Sequence, residues 1–361
     1  MQDDFEQDGP VMINNIAIGK RRVGPGSPVW IIAELSANHN QDFDQAVQLI
    51  KEAKETGADA IKLQTYTPDT MTIDCDNEYF RICKGTIWEG KNLYELYKEA
   101  YTPWEWQPKL KKIANDLGMD LFSTPFDKTA VDFLEEMDVP AYKIASFELV
   151  DIPLIQYVAK TGKPMIMSTG MATLAEIDEA VNAAREAGCK EIALLKCSSA
   201  YPAKPEDMNL NTIPHMAEAF GVPVGLSDHT LGIAVPVAAV ALGAAIMEKH
   251  FTISRKTPGP DSSFSLEPHE FKAMVDAIRI TEKAMGEVQY KVSVHELASR
   301  VFRRSLFIVS DMITGDVFNE ENVRSIRPGN GLHTKYLQNV LGRRTNQDIK
   351  RGTPLIREYI S

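Results

Sequence analysis

The sequence predicts an α/β fold, a (β/α)8 TIM barrel followed by a small C-terminal domain. Eight short apolar runs rich in β-branched residues recur along the first 250 residues. Segments with helical periodicity separate most of them, and strands alternating with helices are typical of a parallel sheet. Eight such units match a barrel in number and length. A doubly wound sheet is the competing interpretation, but no GxGxxG motif follows the first run.

The predicted elements follow one another at regular intervals. The strands are WIIAEL (30–35), AIKLQT (60–65), DLFSTP (120–125), AYKIAS (141–146), PMIMST (164–169), IALLKC (192–197), VPVGLS (222–227) and AIMEKH (245–250). The helices between them include FDQAVQLIKEAKETG, WEWQPKLKKIANDLG, TAVDFLEEM, LAEIDEAVNAAREAG and EDMNLNTIPHMAEAFG. The apolar run that starts at position 232 contains Pro and Gly, so we interpret it as a buried helix leading into the last strand. The long aromatic segment 66–119 is expected to form part of an active-site rim.

The charge of the chain is unevenly distributed. The formal net charge is −11, which argues against a nucleic-acid-binding protein. Residues 300–361 carry 11 Lys and Arg against 6 Asp and Glu, a net +5, which leaves −16 for residues 1–299. A basic segment beside an acidic body predicts two modules that attract each other electrostatically.

The cysteines and the N-terminus indicate the compartment. Cys75, Cys83, Cys189 and Cys197 form no CxxC pair, which favours a reduced chain. The first ten residues, MQDDFEQDGP, are acidic and polar and do not read as a signal peptide. The longest apolar run is too short to span a bilayer. We therefore expect a cytoplasmic protein with no membrane partner.

Polar side chains gather at the carboxyl ends of the predicted strands. In a TIM barrel the active site lies at this end, so these residues are expected to converge. A single Ser or His at a strand end is usually a turn former or a hydrogen-bonded structural residue, but here every strand contributes. The residues are Glu34, Asn38, His39, Lys62, Gln64, Ser123, Thr124, Lys143, Ser146, Ser168, Thr169, Ser198, Ser199, Tyr201, Ser227, His229, Glu248 and His250.

The chemistry of this set is coherent. Burying an unpaired ammonium is costly, so Lys62 and Lys143 are each expected to face a charged partner. With the hydroxyl groups they form a cradle suited to phosphate and carboxylate. His229 and His250 end neighbouring strands and can reach one divalent ion, for which Mn²⁺, Co²⁺ and Mg²⁺ are the candidates. An alternative is that Lys143 forms a Schiff base, as in barrel aldolases.

The stretch GLSDHT (225–230) places Ser227, Asp228 and His229 side by side, the residue types of a hydrolase triad. Triad members converge from separate parts of a fold, whereas these three are consecutive. Side chains alternate between the faces of a strand, so Ser227 and His229 share one face. We expect His229 to work with His250 instead, and Asp228 to have a structural role.

A series of sequence motifs resembles those of a known family. IAELSANHNQ, GADAIKLQTYTPDT, STPFD, YKIASFE, MSTGMA, KCSSAYPA, GLSDHT, EKHFT and GPDSSFSLEP run in order and resemble the sialic acid synthase family. The C-terminal stretches RRSLF, SIRPGNGL and IKRGTPL resemble the antifreeze-like (SAF, β-clip) domain of those enzymes. The resemblance implies a barrel domain over 15–285, a linker over 286–299 and a SAF domain over 300–361. It also implies a domain-swapped homodimer in which the SAF domain caps the partner's barrel.

The resemblance implies a condensation of phosphoenolpyruvate (PEP) with an N-acylated amino sugar and water, aided by a divalent metal on His229 and His250. Glu34 and Glu248 are expected to handle the water or the cationic carbon, in an order that stays open. Lys62 and Lys143 are expected to be catalytic as well as PEP-binding. The PEP-binding residues are then Lys62, Thr124, Lys143, Ser146, Ser168, Ser199 and Ser227, and the sugar-binding residues are Gln64, Tyr201, Asp261 and Arg327.

The substrate branch is also suggested by resemblance. AELSANHNQ and GTIWEGKNLYELYKEAYTPWEW resemble the branch that makes pseudaminic acid, and Ser199 stands where the neuraminate branch usually has Asn. This departure favours 2,4-diacetamido-2,4,6-trideoxy-L-altrose over N-acetylmannosamine. An N-acetylneuraminate or legionaminate synthase remains the alternative within the family. A non-catalytic carbohydrate-binding protein is the remote alternative, and it predicts gaps among the polar residues at the strand ends.

Overall fold

The computed structural model describes residues 13–82, 85 and 87–361. The acidic segment 1–12 and Cys83, which entered the compartment argument, lie outside the described residues, as does Thr86 of the GTIWEG stretch. The chain divides into two compact units, Met1–Gly286 and Glu287–Ser361. The domain bounds 15–285, 286–299 and 300–361 remain predictions.

The first unit is a closed parallel barrel, which confirms the predicted fold class. In the described part of the chain, the last barrel strand pairs with the first, and every neighbouring pair is parallel. All eight predicted strands are present, with ends shifted by a few residues at most. They are β3 (Trp30–Glu34), β4 (Ala60–Thr65), β5 (Asp120–Pro125), β6 (Tyr142–Ile144), β7 (Met165–Ser168), β8 (Ile192–Cys197), β9 (Val224–Asp228) and β10 (Ile246–His250).

A small antiparallel hairpin, β1 (Ile16–Ile18) with β2 (Arg21–Val23), precedes the barrel and was not predicted. Arg21 Nη2 lies 2.9 Å from Asp59 Oδ1, one residue before β4, so the hairpin lies at the amino-terminal end of the strands. Arg279 pairs with the other oxygen of Asp59 at 2.9 Å. The hairpin therefore closes the end of the barrel opposite to the predicted active site.

Helices pack around the barrel in the positions that the periodicity predicts. Several begin at side-chain caps, such as Asp42, which accepts from Gln45 N, and Thr173, which forms a capping box with Glu176. The helix predicted after position 232 is present as α9 (Ala234–Ala241), but it is only partly buried, through Pro236, Ala239 and Val240. The helices of the first unit are α1 (Phe43–Glu55), α2 (Pro68–Met71), α3 (Leu93–Ala100), α4 (Gln107–Asp116), α5 (Lys128–Glu136), α6 (Ile152–Ala159), α7 (Leu174–Glu186), α8 (Thr212–Phe220), α9 (Ala234–Ala241) and α10 (Pro268–Met285).

Inside the barrel, aromatic and branched side chains fill the amino-terminal half. Trp30 and Phe122 are fully buried and stack with ring centroids 5.2 Å apart. Apolar side chains of the hairpin, the barrel and the helices belong to one continuous core. The charged side chains Glu34, Lys62 and Glu248 lie nearer the other ends of the strands.

The second unit has its own small core. Strand β11 (Ser305–Ile308) pairs antiparallel with β12 (Val323–Ile326), and α12 (Leu337–Val340) packs nearby. The predicted linker 286–299 is exposed and contains the one-turn helix α11 (Val294–Leu297), begun by a Ser293 capping box. The core side chains are Leu306, Ile308, Met312, Phe318, Val323, Val340, Ile349 and Leu355.

Candidate active site at the carboxyl ends of the strands

A buried ionic cluster occupies the carboxyl ends of β3, β4 and β10. Lys62 Nζ lies 2.8 Å from Glu34 Oε2 and 3.5 Å from Glu248 Oε1, so the expectation of a charged partner is confirmed for this lysine. Register explains the meeting, because Glu34 stands opposite Lys62 on one side and His250 on the other. Gln64 donates to Glu34 Oε1 at 3.0 Å from the same face of β4.

The two carboxylates of this cluster differ in their environments. Burial raises the pKa of Glu34, and the neighbouring Glu248 adds to the rise while Lys62 opposes it. Burial also acts to raise the pKa of Glu248, but Lys143 and Lys62 together lower it below its ordinary value. For Lys62, burial acts to lower the pKa, but Glu248 and Glu34 raise it overall. Glu248 and Lys62 are therefore both charged at neutral pH.

Lys143 has a different set of contacts. Its Nζ donates to Ser168 Oγ at 2.7 Å and to the Ile144 carbonyl at 3.1 Å, both of them neutral groups. No carboxylate among the described residues forms an ion pair with it, so the expectation of a directly facing charged partner is wrong here. Burial lowers the pKa of Lys143, and Glu248 opposes the fall from beyond ion-pair distance. An ammonium that lacks a facing carboxylate is well placed to bind an anionic ligand.

A glycine allows two predicted serines to approach each other. Gly170 N donates to Ser146 Oγ at 3.1 Å. A Cβ atom on Gly170 would lie 2.7 Å from that oxygen and 2.2 Å from Ser199 Oγ, closer than real Cβ contacts allow. Only glycine at this position leaves room for both hydroxyl groups. Thr124, the remaining predicted phosphate ligand, lies 3.4 Å from Lys62 Nζ through its Oγ1.

The two histidines lie side by side, with ring centroids 5.3 Å apart. His229 Nδ1 is 2.8 Å from the Ser198 carbonyl, which only accepts, so Nδ1 carries a proton and, in the neutral ring, Nε2 is the nitrogen with a lone pair. His250 Nδ1 is buried and has no hydrogen-bond partner among the described residues. Two imidazoles with free nitrogens fit a divalent cation that completes its shell with water or substrate oxygens. Clusters of three or more His, Cys, Asp or Glu that could enclose a metal are absent from the described residues.

The GLSDHT stretch divides between the two faces of β9. Ser227 Oγ points into the lumen and donates to Glu248 Oε1 at 3.1 Å. Asp228 is on the other face, where its Oδ2 lies 2.5 Å from Lys249 Nζ and its Oδ1 accepts from Thr230 N at 2.9 Å. Asp228 and Lys249 are both fully shielded from solvent. Ser227, Asp228 and His229 do not form a catalytic triad, because Asp228 lies on the opposite face of β9 and pairs with Lys249.

A cavity of about 500 Å³ opens beside the histidines. Its polar side contains three of the residues predicted to bind the sugar, Gln64, Tyr201 and Asp261, together with His250. The Tyr201 ring lies 4.4 Å from the His229 ring, centroid to centroid. The site therefore combines an ionic cluster, a pair of histidines and a ligand-sized cavity at one end of the barrel.

Comparison with known proteins identifies the family. The model of the NeuB family matches residues 49–290, and the model of the SAF domain matches residues 303–356. The chain belongs to the NeuB family. The predicted sialic acid synthase resemblance and the predicted SAF domain are thereby confirmed.

The relatives that this chain matches include two pseudaminic acid synthases and an N-acetylneuraminic acid synthetase. The chain is 48% identical to the pseudaminic acid synthase of Campylobacter jejuni (strain 81-176), over 91% of this chain and 95% of that one. It is 45% identical to the pseudaminic acid synthase of Helicobacter pylori, over 91% and 96%. Among solved structures, it is similar to an N-acetylneuraminic acid synthetase from Leptospira borgpetersenii, with a TM-score of 0.71 and 32% identity over 80% of this chain and 95% of that one.

Two residues of this NeuB-family site were not predicted from the sequence. Glu148 lines the cavity, and its Oε2 is buried without a hydrogen-bond partner among the described residues. Burial raises the pKa of Glu148 to about 7. Ser36 also lines the cavity and donates through Oγ to Asp261. Both residues stand in quoted motifs, YKIASFE and IAELSANHNQ, but they lie just beyond the strands, where alternation no longer predicts direction.

Arg327 is the predicted site residue that the first unit does not contain. It follows β12 in the second unit, and its side chain is exposed. The other predicted residues all lie at the carboxyl ends of the barrel strands or in the loops that follow them. The role of Arg327 toward a sugar remains a prediction.

Proposed function

We propose that this chain is a pseudaminic acid synthase, which condenses PEP with 2,4-diacetamido-2,4,6-trideoxy-L-altrose and water to give pseudaminic acid and phosphate. The observation that carries the proposal is the cluster of Lys62, Lys143, Glu248 and two histidines at the carboxyl ends of the strands, where His250 also lines a ligand-sized cavity. The relatives named pseudaminic acid synthase, at 45% and 48% identity over 91% of the chain, support the choice of sugar.

In the proposed site, the PEP anion lies between the two lysines. Lys143 Nζ donates hydrogen bonds to neutral groups only, so a phosphate or carboxylate would supply the directly facing negative charge that it lacks. Ser168 is already held by Lys143, and the Gly170 amide with Ser146 and Ser199 adds donors beside it. Lys62, Thr124 and Ser227 line the opposite side. Donors held in place before the reaction need no reorganisation in the transition state.

His229 and His250 would hold a divalent cation, with Mn²⁺, Co²⁺ and Mg²⁺ as candidates. Such a cation supplies Lewis acidity toward the aldehyde oxygen of the open-chain sugar. Ser198 fixes the orientation of the His229 ring through Nδ1, the usual means of presenting the other nitrogen to a ligand. Gln64, Tyr201, Asp261 and the unpredicted Glu148 are assigned to the polar groups of the sugar.

The geometry favours a division of labour between the two glutamates. Glu34 Oε1 accepts from Gln64, and Glu34 Oε2, which has no hydrogen-bond partner among the described residues, lies 2.8 Å from the Lys62 ammonium. Glu248 is held through Oε1 only, and its Oε2 is buried without a partner among the described residues. We assign Glu248 to the water or to the positive charge that develops at C2 of PEP once its methylene carbon has attacked the aldehyde. Glu34 is assigned to the positioning of Lys62.

A side-by-side assay with three sugars tests the proposed function. PEP is supplied with the diacetamido-trideoxy-altrose, with N-acetylmannosamine or with the legionaminate precursor, and phosphate release is followed. We expect the first sugar to give the highest kcat/KM. A higher value with either of the others would replace the proposed substrate. Borohydride added during turnover should trap no adduct on Lys143, whereas an adduct would favour the Schiff-base alternative.

We also propose a cytoplasmic, domain-swapped homodimer in which Arg327 reaches the acyl group of a sugar bound in the partner's barrel. In support of the location, no helix among the described residues is both long enough and apolar enough to cross a membrane. The net charge of +5 on residues 300–361 complements the acidic barrel segment.

Mixing of two variants, assayed at a sugar concentration well below the raised KM of Arg327→Ala, tests this arrangement. If Arg327 acts across subunits, Arg327→Ala mixed with Glu248→Gln forms heterodimers that contain one intact site, so activity returns. Absence of recovery, with subunit exchange demonstrated by native mass spectrometry, would contradict the swapped arrangement. Alone, Arg327→Ala should raise KM for the sugar far more than KM for PEP.

A further inference from the structure

The side chains that line the cavity beside His250 come from two parts of the fold. The barrel strands and the loops that follow them supply its polar groups, which include Gln64, Tyr201 and Asp261, together with the Phe126 and Phe147 rings. The segment between β4 and β5 supplies mostly apolar side chains, which include Met71, Ile82, Leu93, Leu96 and Tyr97. We call these five residues the apolar wall. A sugar in this cavity therefore meets both hydrogen-bonding groups and hydrocarbon.

Helix α3 presents most of the apolar wall in a regular way. Leu93, Leu96, Tyr97 and Ala100 line the cavity, and their spacing of three and four residues places them on one helix face. The helix begins at Asn92, whose side chain accepts from Tyr94 N.

Aromatic contacts hold this face against the barrel. The Tyr97 ring meets the Tyr66 ring edge-on at 5.7 Å between centroids, and Tyr66 in turn meets Phe126 at 5.2 Å. These ring contacts hold the Tyr97 part of the apolar wall in place against the barrel.

Hydrocarbon on this side is unexpected for a polyhydroxylated sugar. A hydroxyl group pressed against these side chains would lose its hydrogen bonds to water and gain none. A methyl group would instead gain from leaving water, at about 25 cal/mol for each Å² of apolar surface buried. The wall therefore discriminates according to which positions of the sugar carry hydroxyl groups.

We propose that the apolar wall selects a 6-deoxy sugar, by packing against its C6 methyl group and the methyl of its second N-acyl group. The inference rests on the proposed function and adds the residues that set its substrate preference. The polar side orients the aldehyde and the remaining hydroxyl groups, and the wall excludes sugars with a hydroxymethyl group at C6. Met71 and Leu93 are specificity-determining residues, because each lines the cavity and neither forms a hydrogen bond there.

A pair of sugars tests the proposal on the unmodified protein. The diacetamido-trideoxy sugar is compared with its analogue that carries a hydroxyl group at C6, with PEP and phosphate release as before. Apolar pockets discriminate against an added hydroxyl by about 10- to 100-fold, so we expect kcat/KM to fall by that factor. Equal kcat/KM values would overturn the inference while leaving the proposed function in place. No turnover of the trideoxy sugar at all would overturn both.

Two near-isosteric variants test the residues themselves. Met71→Gln and Leu93→Asn each add an amide to the apolar wall, and we expect the preference for the 6-deoxy sugar to fall by about tenfold in either. KM for PEP should stay unchanged, and the ratio of the two kcat/KM values does not depend on the folded fraction, so a merely destabilised protein would keep the unmodified preference. Leu117→Asn is the matched control, because Leu117 is also half-buried but lies at the end of α4, away from the cavity.

The control should keep the unmodified preference. If the preference is unchanged in both wall variants, the apolar wall does not set specificity and the inference fails.

Discussion

Strands β9 and β10 together carry charged residues on both faces, and the two faces differ in how completely the buried polar groups are paired. On the face toward the helices, Lys249 Nζ is paired with Asp228 and also donates to the Thr230 carbonyl. On the lumen face, Glu248 Oε2 and His250 Nδ1 are buried without partners among the described residues. A buried polar group without a partner costs free energy, so it persists where a ligand supplies the partner. We therefore expect the Asp228–Lys249 pair to be structural, and Glu248 Oε2 and His250 Nδ1 to meet a ligand.

The largest effect is expected on the lumen face. His250→Ala removes a ring whose Nδ1 has no hydrogen-bond partner among the described residues, so the protein should still fold and should lose its metal-dependent turnover entirely. Phosphate release, with the urea midpoint as the measure of folding, checks both parts. Treatment with EDTA should reproduce the loss in the unmodified protein. Full activity after EDTA would contradict the assignment of a metal to this residue.

The opposite pattern is expected on the face toward the helices. Asp228→Ala leaves the Lys249 ammonium buried and unpaired, which should lower the free energy of unfolding by about 3–5 kcal/mol. Replacing both members by apolar residues, Asp228→Leu with Lys249→Met, should recover most of that loss, because no charge is then left buried. Urea unfolding measures both. A double variant as unstable as the single one would show that packing, not charge, holds this position.

Glu148 sharpens the comparison with a smaller effect. Burial raises its pKa from 4.5 to about 7, so the folded protein holds a proton there that the unfolded chain has released. Stability is therefore greatest below pH 4.5 as far as this group is concerned, and falls as the pH rises from 4.5 to about 7. Glu148→Gln cannot ionise and should lack this part of the fall. Parallel unfolding curves at pH 5 and pH 7 would reveal the difference; identical pH dependence in both proteins would refute it.

The fold and most of the lumen face could be predicted because strand parity is readable in a sequence. Lys62 and Gln64, or Glu248 and His250, stand two residues apart, so one inward-facing member fixes the other. The alternation of side chains does not show which residues of two neighbouring strands lie opposite each other, and the structure does. The pairing of Asp228 with Lys249 joins residues on different strands, and it is set by the register of β9 on β10.

Three misses have comparable physical causes. Glu148 lies in a 3-10 turn beyond β6, where side chains no longer alternate. The β1–β2 hairpin has strands of only three residues, too short for a pattern to stand out. Lys143 was expected to face a carboxylate, because buried lysines usually do, yet its neighbours are a hydroxyl and a carbonyl. That miss is informative, since the anion of the proposed substrate PEP would bring the missing charge.

The tripeptides Ser227–Asp228–His229 and Glu248–Lys249–His250 lie side by side like three rungs of a ladder. The first rung is a hydrogen bond, the second an ion pair and the third the two imidazole rings. A slip of β10 by one residue would turn Lys249 into the lumen and both of its neighbours out of it. Strand β10 also pairs with β3 to close the barrel. We therefore expect the Asp228–Lys249 ion pair to disfavour closure of the barrel in the wrong register. Lys249, which faces away from the lumen, would thus help to place Glu248 and His250 in the proposed site.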